Sequence, residues 1–489
     1  MVSWTVNVFQ NLFKPNLLII INMCGIVGII DQKHPVSSKL YFSLITLQHR
    51  GQDACGISTV DGDEIYFKKN NNLVLNSFSD DDLLGLKGRT GIGHTRYATV
   101  GAIDLTNVQP LVDEDTKIGI GFNGNITNYF SLKKELEEKG VFFKTTSDCE
   151  LILHLFTSEY KKTKDVFASS KKILDVLEGA YSILGIIPNI GLFSIRDKHG
   201  IRPLVLGKYN EGYILSSESV VIQTLDFQFI RDSSPGEVIF ISQDKMDIQT
   251  KVFNADKKAH CMFEWVYFAR PESMIEERSV YKARLALGLL LAEKIRKEDL
   301  IKKYNIDVVI PVPDTARSCA FKISEVLNLK HREGLIKNRY IGRTFIMPSQ
   351  ESRVSRVHIK LNPIISIVKD KNILLVDDSI VRGTTSKRII KLLRDAGAKN
   401  IVLVSSCPPI KYPCFYGIDM STEKELIASN KTIQEIRDYV NANEVVYCEV
   451  DDLRKAIRRD LCTACVSGTY PVVIPEACKN CFAKDKELR

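Results

Sequence analysis

Between residue 23 and about residue 255 the apolar positions come in short bursts: CGIVGII, GISTV, EIYF, GIGHTRYATV, KIGIGFNG, YSILGII, LVLGK, GYILSS and EVIFI. Gly, Asn and Asp turns separate them, the pattern of strands. Longer stretches such as YFSLITLQHR and SLKKELEEKG read as helices. So many strands with few helices predict stacked antiparallel sheets flanked by helices, an α+β arrangement. From about residue 275 the rhythm changes. Amphipathic stretches (KARLALGLLLAEKIRKED, FKISEVLNL, KRIIKLLRDAGA) alternate with runs apolar on both faces (DVVIPVP, NILLVDDS, IVLVSS). Strands without polar alternation are buried on both sides, so this half predicts an α/β fold with a parallel sheet. The boundary is expected near 260 to 275.

Composition narrows the picture only a little. The 489 residues leave room for two to four domains, and 44% hydrophobic with 26% charged residues is the balance of a soluble globular chain. A net charge of +8 suits an anionic ligand such as a phosphate but forms no clustered nucleic-acid footprint, so no nucleic-acid partner is expected. No apolar run approaches the ~18 residues of a membrane helix, so no membrane partner is expected either. The first 22 residues are apolar without clear pattern. Their core LLIII falls short of the roughly 7–15 residues of a signal peptide, and no small-residue cleavage site follows. Twelve cysteines in so long a chain do not make a disulfide scaffold. In a reducing, cytoplasmic setting they divide among core thiols, nucleophiles and metal ligands.

The strongest local signal is NILLVDDSIVRGTTSKRII, residues 372 to 390. A buried strand delivers Asp377 and Asp378 to its carboxyl end, and a short turn then opens a helix. Ligands of open α/β sheets bind at such strand ends, where helix N-terminal amides hold phosphate. Gly383 permits close approach, and Ser379, Thr384 and Thr385 supply donors. The acid pair suits ribose hydroxyls and a hydrated Mg²⁺, although taken alone it also reads as solvated or helix-capping. ILLVDDSIVRGTT resembles the phosphoribosyl pyrophosphate motif of type I phosphoribosyltransferases, in the form carried by the amidophosphoribosyltransferases. IPVPDTA (310 to 316) and KNRYIGRTFIMPSQ (337 to 350) agree with it. The resemblance implies that Thr315 joins Asp377 and Asp378 at one Mg²⁺ per subunit. It also implies that Ser379, Arg382, Gly383, Thr384 and Thr385 hold phosphoribosyl pyrophosphate, under a flexible loop running from Lys337 to Gln350. Lys337, Arg339 and Arg343 bring positive charge to a departing pyrophosphate, and closure over it would exclude water.

Met-Cys-Gly at 23 to 25 suggests an N-terminal nucleophile, because a free α-amino group with pKa near ~8 can take the thiol proton of its own residue. By itself Cys24 also reads as a small apolar strand residue. The companions LQHRGQDACGI, GHTRYATVG, GFNGNITN and TTSDCE resemble, in order, the glutaminase domain of the N-terminal-nucleophile amidotransferases. That resemblance implies that Arg96 binds the glutamine α-carboxylate and Asp148 its α-amino group. Asn123 and the Gly124 N–H would form the oxyanion hole, with Arg50 supporting the nucleophile's surroundings. A guanidinium fork suits a carboxylate, and fixed neutral donors suit a tetrahedral oxyanion.

LCTACVSGTYP contains a Cys-x-x-Cys pair, a moderate metal signal. The iron-sulfur branch of the amidophosphoribosyltransferases, which this chain resembles, implies Cys261, Cys414, Cys462 and Cys465 as ligands of one [4Fe-4S] cluster per subunit. The residue types alone leave Cys₄ zinc open. CKNC at 478 to 481 has no counterpart, and Cys478 and Cys481 are either incidental or an alternative ligand pair. Cys55, Cys149, Cys319, Cys407 and Cys448 read as core thiols.

Taken together, the resemblance implies a glutamine amidotransferase domain over 24 to 260 and a phosphoribosyltransferase domain over 261 to 489, with residues 1 to 23 absent from the mature enzyme. It implies formation of 5-phosphoribosylamine from glutamine and phosphoribosyl pyrophosphate, the committed step of purine synthesis. Ammonia made at Cys24 would be channelled to the ribose. Inhibition by purine nucleotides and a homotetramer are also implied. The leader lacks acidic character, which favours Met23 as the functional start with the Met then removed. Two alternatives use fewer of the motifs. An ammonia-dependent enzyme would lack an exposed Cys24, and a non-catalytic phosphoribosyl-pyrophosphate-binding regulator would need only the acid motif.

Overall fold

In the strand Gly25–Asp31, Val27 and Ile29 turn to one side and Ile26 and Ile30 to the other, as the two-residue period of a strand requires, yet all four are buried. The computed structural model shows why; it describes residues 23–97, 104–210, 212–338, 361–420 and 422–480. Two antiparallel sheets are stacked between helices. The first has seven strands in the order Gln228–Asp232, Val205–Tyr209, Gly212–Ser216, Gly25–Asp31, Thr90–Arg96, Ala54–Asp61 and Glu64–Asn70. The second has six, in the order Ile248–Val252, Glu237–Ser242, Gly191–Arg196, Gly179–Ile187, Gly119–Ile126 and Leu111–Val112. Ile26 and Ile30 meet Leu184, Ile186 and Leu192 between the sheets. Val27 and Ile29 pack outward on the helix Ser37–Leu47 through Leu40 and Leu44. Ile183, Phe193 and Ile195 cover the far face with Ile152, Phe156 and Ile173 of the helices Asp148–Thr163 and Val166–Val176.

The C-terminal half repeats this sorting around one sheet of five parallel strands: Lys330–His331, Val308–Pro311, Ile373–Asp377, Ile401–Ser405 and Glu444–Tyr447. Ile373, Leu375, Ile401 and Leu403 face the helix Thr384–Asp395, while Leu374, Val376, Val402 and Val404 face Val280–Lys297 and Arg317–Leu327. Burial on both faces is why these strands carry no polar alternation. The halves meet along residues 260 to 275. There His260–Cys261 pairs in parallel with Leu461–Cys462, and outside that stretch Asn125 Nδ2 donates to the Phe415 carbonyl at 2.9 Å.

Every strand and helix named from the sequence pattern overlaps a described element of that type, several running past its end: YFSLITLQHR is helical only to Leu47, KRIIKLLRDAGA to Asp395, and GIGHTRYATV is a strand only to Arg96, with residues 98 to 103 outside the described ones. The structure adds the strands Gln228–Asp232 and Ile248–Val252, whose half-buried sequence QFIRD and largely exposed sequence IQTKV sit at sheet edges. Among the described residues no helix is long and apolar enough to cross a membrane.

Candidate active sites

Cys24 lies immediately before the strand Gly25–Asp31, where the close approach of Gly25 to Thr95 brings the end of Thr90–Arg96 alongside. The Cys24 carbonyl accepts from Arg50 Nε at 3.2 Å, and its thiol donates to the Tyr97 carbonyl at 3.8 Å. Burial pushes the thiol up to about 11; the Tyr97 hydrogen bond and the Arg96 charge pull it down, and the charges of Asp148 and Asp53 add to the rise. Asp148 opens its helix under the cap of Ser147. Burial raises its carboxyl to about 6, against the Ile126 amide and Arg96, which favour the ionised form. Cys24, Arg96 and Asp148 therefore feel one another's charge. The Ile126 hydrogen bond sets the end of Gly119–Ile126, the strand carrying Asn123 and Gly124, beside Asp148. Asn123 is buried and its Nδ2 has no hydrogen-bond partner among the described residues, so a donor is held inside the protein without an acceptor.

Behind Cys24 lies a network that the sequence signals only at Arg50. Arg50, fully buried, bonds Glu218 at 2.6 Å and both oxygens of Glu264 at 2.8 and 3.0 Å. Burial opposes ionisation of Glu218, but His49 and Arg50 hold its carboxyl far below the usual range. Glu218 also accepts from the Arg270 amide and the Ser273 hydroxyl at 3.0 Å each, and Arg202 bonds the Tyr416 carbonyl at 2.5 Å. Glu218, Glu264 and Arg202 have no motif spacing; only their charge within apolar surroundings could have marked them. Met23 is buried in the same place, its amide donating to the Arg50 carbonyl at 3.1 Å and its sulfur against Arg202.

Asp377 and Asp378 stand at the carboxyl end of Ile373–Asp377. Asp378 accepts from the hydroxyls of Thr315 and, at 2.8 Å, Ser379; Asp377 accepts from the Asp378 amide at 2.9 Å. Burial, then the neighbouring Asp378 charge, pushes Asp377 well above the carboxylate range. Burial also raises Asp378, although its hydroxyl partners and Arg284 oppose the shift. Arg284, absent from the sequence reading, is buried on Val280–Lys297, donates to the carbonyls of Trp265, Tyr267 and Ala269, and is brought down to about 10 by burial. Gly383 has φ +71°, and a Cβ there would meet Ile427 at 2.7 Å, so the helix opened by Thr384 and Thr385 needs glycine before it. Arg382 pairs with Glu425 at 2.7 Å, and Lys337 reaches Asp314 at 3.5 Å. A cleft of about 600 Å³ lies beside Thr315, lined in part by Tyr281, Asp314, Arg317 and Lys337. Arg339, Gly342, Arg343 and Gln350 lie outside the described residues.

The four expected cysteine ligands are buried and come from three segments that are tied together. Cys261 and Cys462 are register partners, the Cys465 carbonyl accepts from Lys411 and Tyr412 at 2.9 and 3.0 Å, and Cys414 Sγ accepts from the Tyr416 amide at 3.4 Å. Burial raises the thiols of Cys261, Cys462 and Cys465, and the charge of neighbouring thiols raises them further. Among the described residues no three His, Cys, Asp or Glu side chains stand as a ready metal-holding group. Thiols that raise one another in this way would ionise together only around positive charge. Cys407 and Cys478 are buried as well, and Cys481 lies outside the described residues.

Comparison with known proteins matches a glutamine amidotransferase domain to residues 64–254 and a phosphoribosyl transferase domain to residues 281–450. The amidophosphoribosyltransferase of Methanothermobacter thermautotrophicus is 43% identical over 94% of this chain and 98% of its own length. That of Escherichia coli is 43% identical over 90% of this chain and 89% of its own. A solved structure of glutamine phosphoribosylpyrophosphate amidotransferase from B. subtilis, complexed with ADP and GMP, superposes with a TM-score of 0.85 at 36% identity, covering 93% of this chain and 98% of that one.

Proposed function

The chain belongs to the amidophosphoribosyltransferase family, and from that premise we propose how its residues divide the reaction. The enzyme is a glycosyltransferase of purine biosynthesis, converting glutamine, phosphoribosyl pyrophosphate and water to 5-phosphoribosylamine, glutamate and pyrophosphate. Cys24, as the first residue of the mature chain, gives its thiol proton to its own α-amine and attacks the glutamine carboxamide. Arg96 holds the α-carboxylate and Asp148 the α-ammonium. The Asn123 amide and Gly124 N–H take the oxyanion, ammonia leaves, and water hydrolyses the thioester. At the second site Asp377, Asp378 and Thr315 hold the ribose hydroxyls and would hold Mg²⁺, which supplies positive charge for the leaving pyrophosphate. Ser379, Arg382, Gly383, Thr384 and Thr385 hold the substrate phosphate, and Lys337 and Arg343 close over the pyrophosphate. The observation that carries this reading is the grouping of half-buried Cys24 and Asp148 with buried Arg96, close enough to feel one another's charge. Coupling tests it. Glutamate release is expected to be at least about tenfold slower without phosphoribosyl pyrophosphate than with it; full hydrolysis without the second substrate would count against a closing site.

Asp148 gives this half-site a pH signature. With a carboxyl raised to about 6, acidification protonates it and removes the partner of the glutamine ammonium. KM for glutamine is therefore expected to rise as pH falls through 6, while Asp148→Asn should show a high KM with no such inflection. A pH series of KM in both proteins checks this.

Cys261, Cys414, Cys462 and Cys465 are proposed to hold one [4Fe-4S] cluster per subunit. Iron and acid-labile sulfide content, measured against zinc, distinguishes it from a zinc site. A cytoplasmic homotetramer inhibited by purine nucleotides completes the proposal, its nucleotide part supported by the ADP and GMP bound to the B. subtilis relative.

A further inference from the structure

Gly124 sits in the strand Gly119–Ile126 with φ +152°, and a Cβ there would come within 1.9 Å of the Ala180 carbonyl oxygen on the next strand. One side of this glycine is thus closed by its own sheet. The other contact comes from the C-terminal half. Gly417 has φ +93°, and a Cβ on it would lie 2.8 Å from both the carbonyl carbon and the oxygen of Gly124 and 3.1 Å from its Cα. Backbone rests on backbone, at a spacing no side chain could share. The segment making this contact is anchored beside it: Asn125 Nδ2 donates to the Phe415 carbonyl at 2.9 Å, Arg202 to the Tyr416 carbonyl at 2.5 Å, and the Tyr416 hydroxyl to the Val472 carbonyl at 3.0 Å. A glycine has more backbone freedom than any other residue, and an oxyanion donor is useful only while its direction is fixed.

We propose that Gly417 is a positioning residue for glutamine hydrolysis: lacking a side chain, it lets the Phe415–Gly417 segment clamp the Cα and carbonyl of Gly124, and by fixing that residue's backbone hold the Gly124 N–H, on the preceding peptide, toward the oxyanion. This rests on the reading of Asn123 and Gly124 as the oxyanion donors. Gly417→Ala pushes a methyl into that contact and strains its own backbone, so the clamp must shift. In enzyme beginning at Cys24, Gly417→Ala is expected to lower glutamine-dependent kcat at least about tenfold, with KM for glutamine within about twofold, because Arg96 and Asp148 are untouched. Inhibition by the γ-aldehyde of glutamate, whose adduct with the thiol places an oxygen in the hole, should weaken by a similar factor. Inhibition by glutamate and phosphoribosylamine formation from ammonia should stay as in the parent. Asn125→Ala, which removes one anchor and adds no bulk, should shift kcat and aldehyde binding in the same direction by less.

Parent-level kcat and aldehyde affinity in Gly417→Ala would overturn the inference, as would an equal loss of glutamate binding and ammonia-dependent activity, the mark of general damage. Should Gly417→Ala fail to fold, parent-level values in Asn125→Ala overturn it. Asn123→Ala separates the two levels. If it keeps kcat and aldehyde affinity, the oxyanion reading itself fails; if it loses them while Gly417→Ala does not, only the clamp fails.

Discussion

Replacing Asp377 with asparagine is expected to cut phosphoribosylamine formation by about 10²- to 10³-fold with either glutamine or ammonia as nitrogen donor, and to raise the melting temperature of the ligand-free protein at pH 7. Both effects come from one arrangement. Asp377 and Asp378 are adjacent, buried carboxyls whose ionised forms are disfavoured by burial and, for Asp377, by the neighbouring charge. A folded-state pKa above the unfolded value means that the folded protein binds the proton more tightly. The stability this gives is fully present below the ordinary carboxylate pKa of ~3.9 and is lost as pH rises toward the folded value. At pH 7 burying these two carboxyls side by side therefore costs stability, a cost that the proposed role at a metal-bound pyrophosphate would explain. Asparagine keeps the shape and removes the repulsion. Calorimetry from about pH 4 to 8 without Mg²⁺ should show the variant's advantage growing with pH. An unchanged melting temperature across that range, or full transfer activity in the variant, would refute the account.

The phosphoribosyl half of the site was legible because its chemistry is contiguous: strand, two acids, turn and helix follow one another in NILLVDDSIVRGTTSKRII, and the structure keeps that order in space. The glutaminase half is assembled differently. Cys24, Arg96, Asn123 and Asp148 come from the start of one strand, the end of another, the middle of a third and the first turn of a helix, so no spacing rule joins them and only the resemblance did. Beyond both, legibility ends where a charge is buried by distant segments. Arg284 occupies a helix on which Lys282, Arg296 and Lys297 are exposed, and from the sequence it looks like one more of them. Glu264 hides in the apolar run FEWVYF. The edge strands Gln228–Asp232 and Ile248–Val252 are too polar to announce themselves, since one side of each meets solvent.

The buried charges also show how the halves are joined. Arg50 and Cys24 belong to the first half; Glu264, Arg270 and Ser273 belong to the connecting stretch that leads to Val280–Lys297, where Arg284 feels the charge of both Asp378 and Glu218. A buried ion pair is weak evidence of stability, but removing one partner leaves an uncompensated charge and is strongly destabilising. The Cys24 carbonyl and the acid pair are thus linked through one series of buried charged groups.

Removing Met23 is expected to switch glutamine hydrolysis on, and Cys24→Ala to abolish it, with ammonia-dependent phosphoribosylamine formation left within about twofold in both cases. With its thiol raised to about 11 by burial, a peptide-bonded Cys24 would be ionised in only about one molecule in ten thousand at pH 7. No His, Glu or Lys makes a hydrogen bond to that thiol among the described residues; its partner is the Tyr97 carbonyl, which cannot take a proton. An α-amine with pKa near ~8 on the same residue is the base that would serve, and it exists only once the bond from Met23 to Cys24 is broken. Met23 is itself fully buried, its amide on Arg50 and its sulfur against Arg202, so its departure also opens space beside the nucleophile. Mass spectrometry of the first residue, combined with both nitrogen assays on the same preparations, checks this. Glutamine-dependent activity should follow the fraction of chains beginning at Cys24, while ammonia-dependent activity follows total protein. Chains that retain Met23 yet hydrolyse glutamine at the full rate would show that some other group takes the thiol proton.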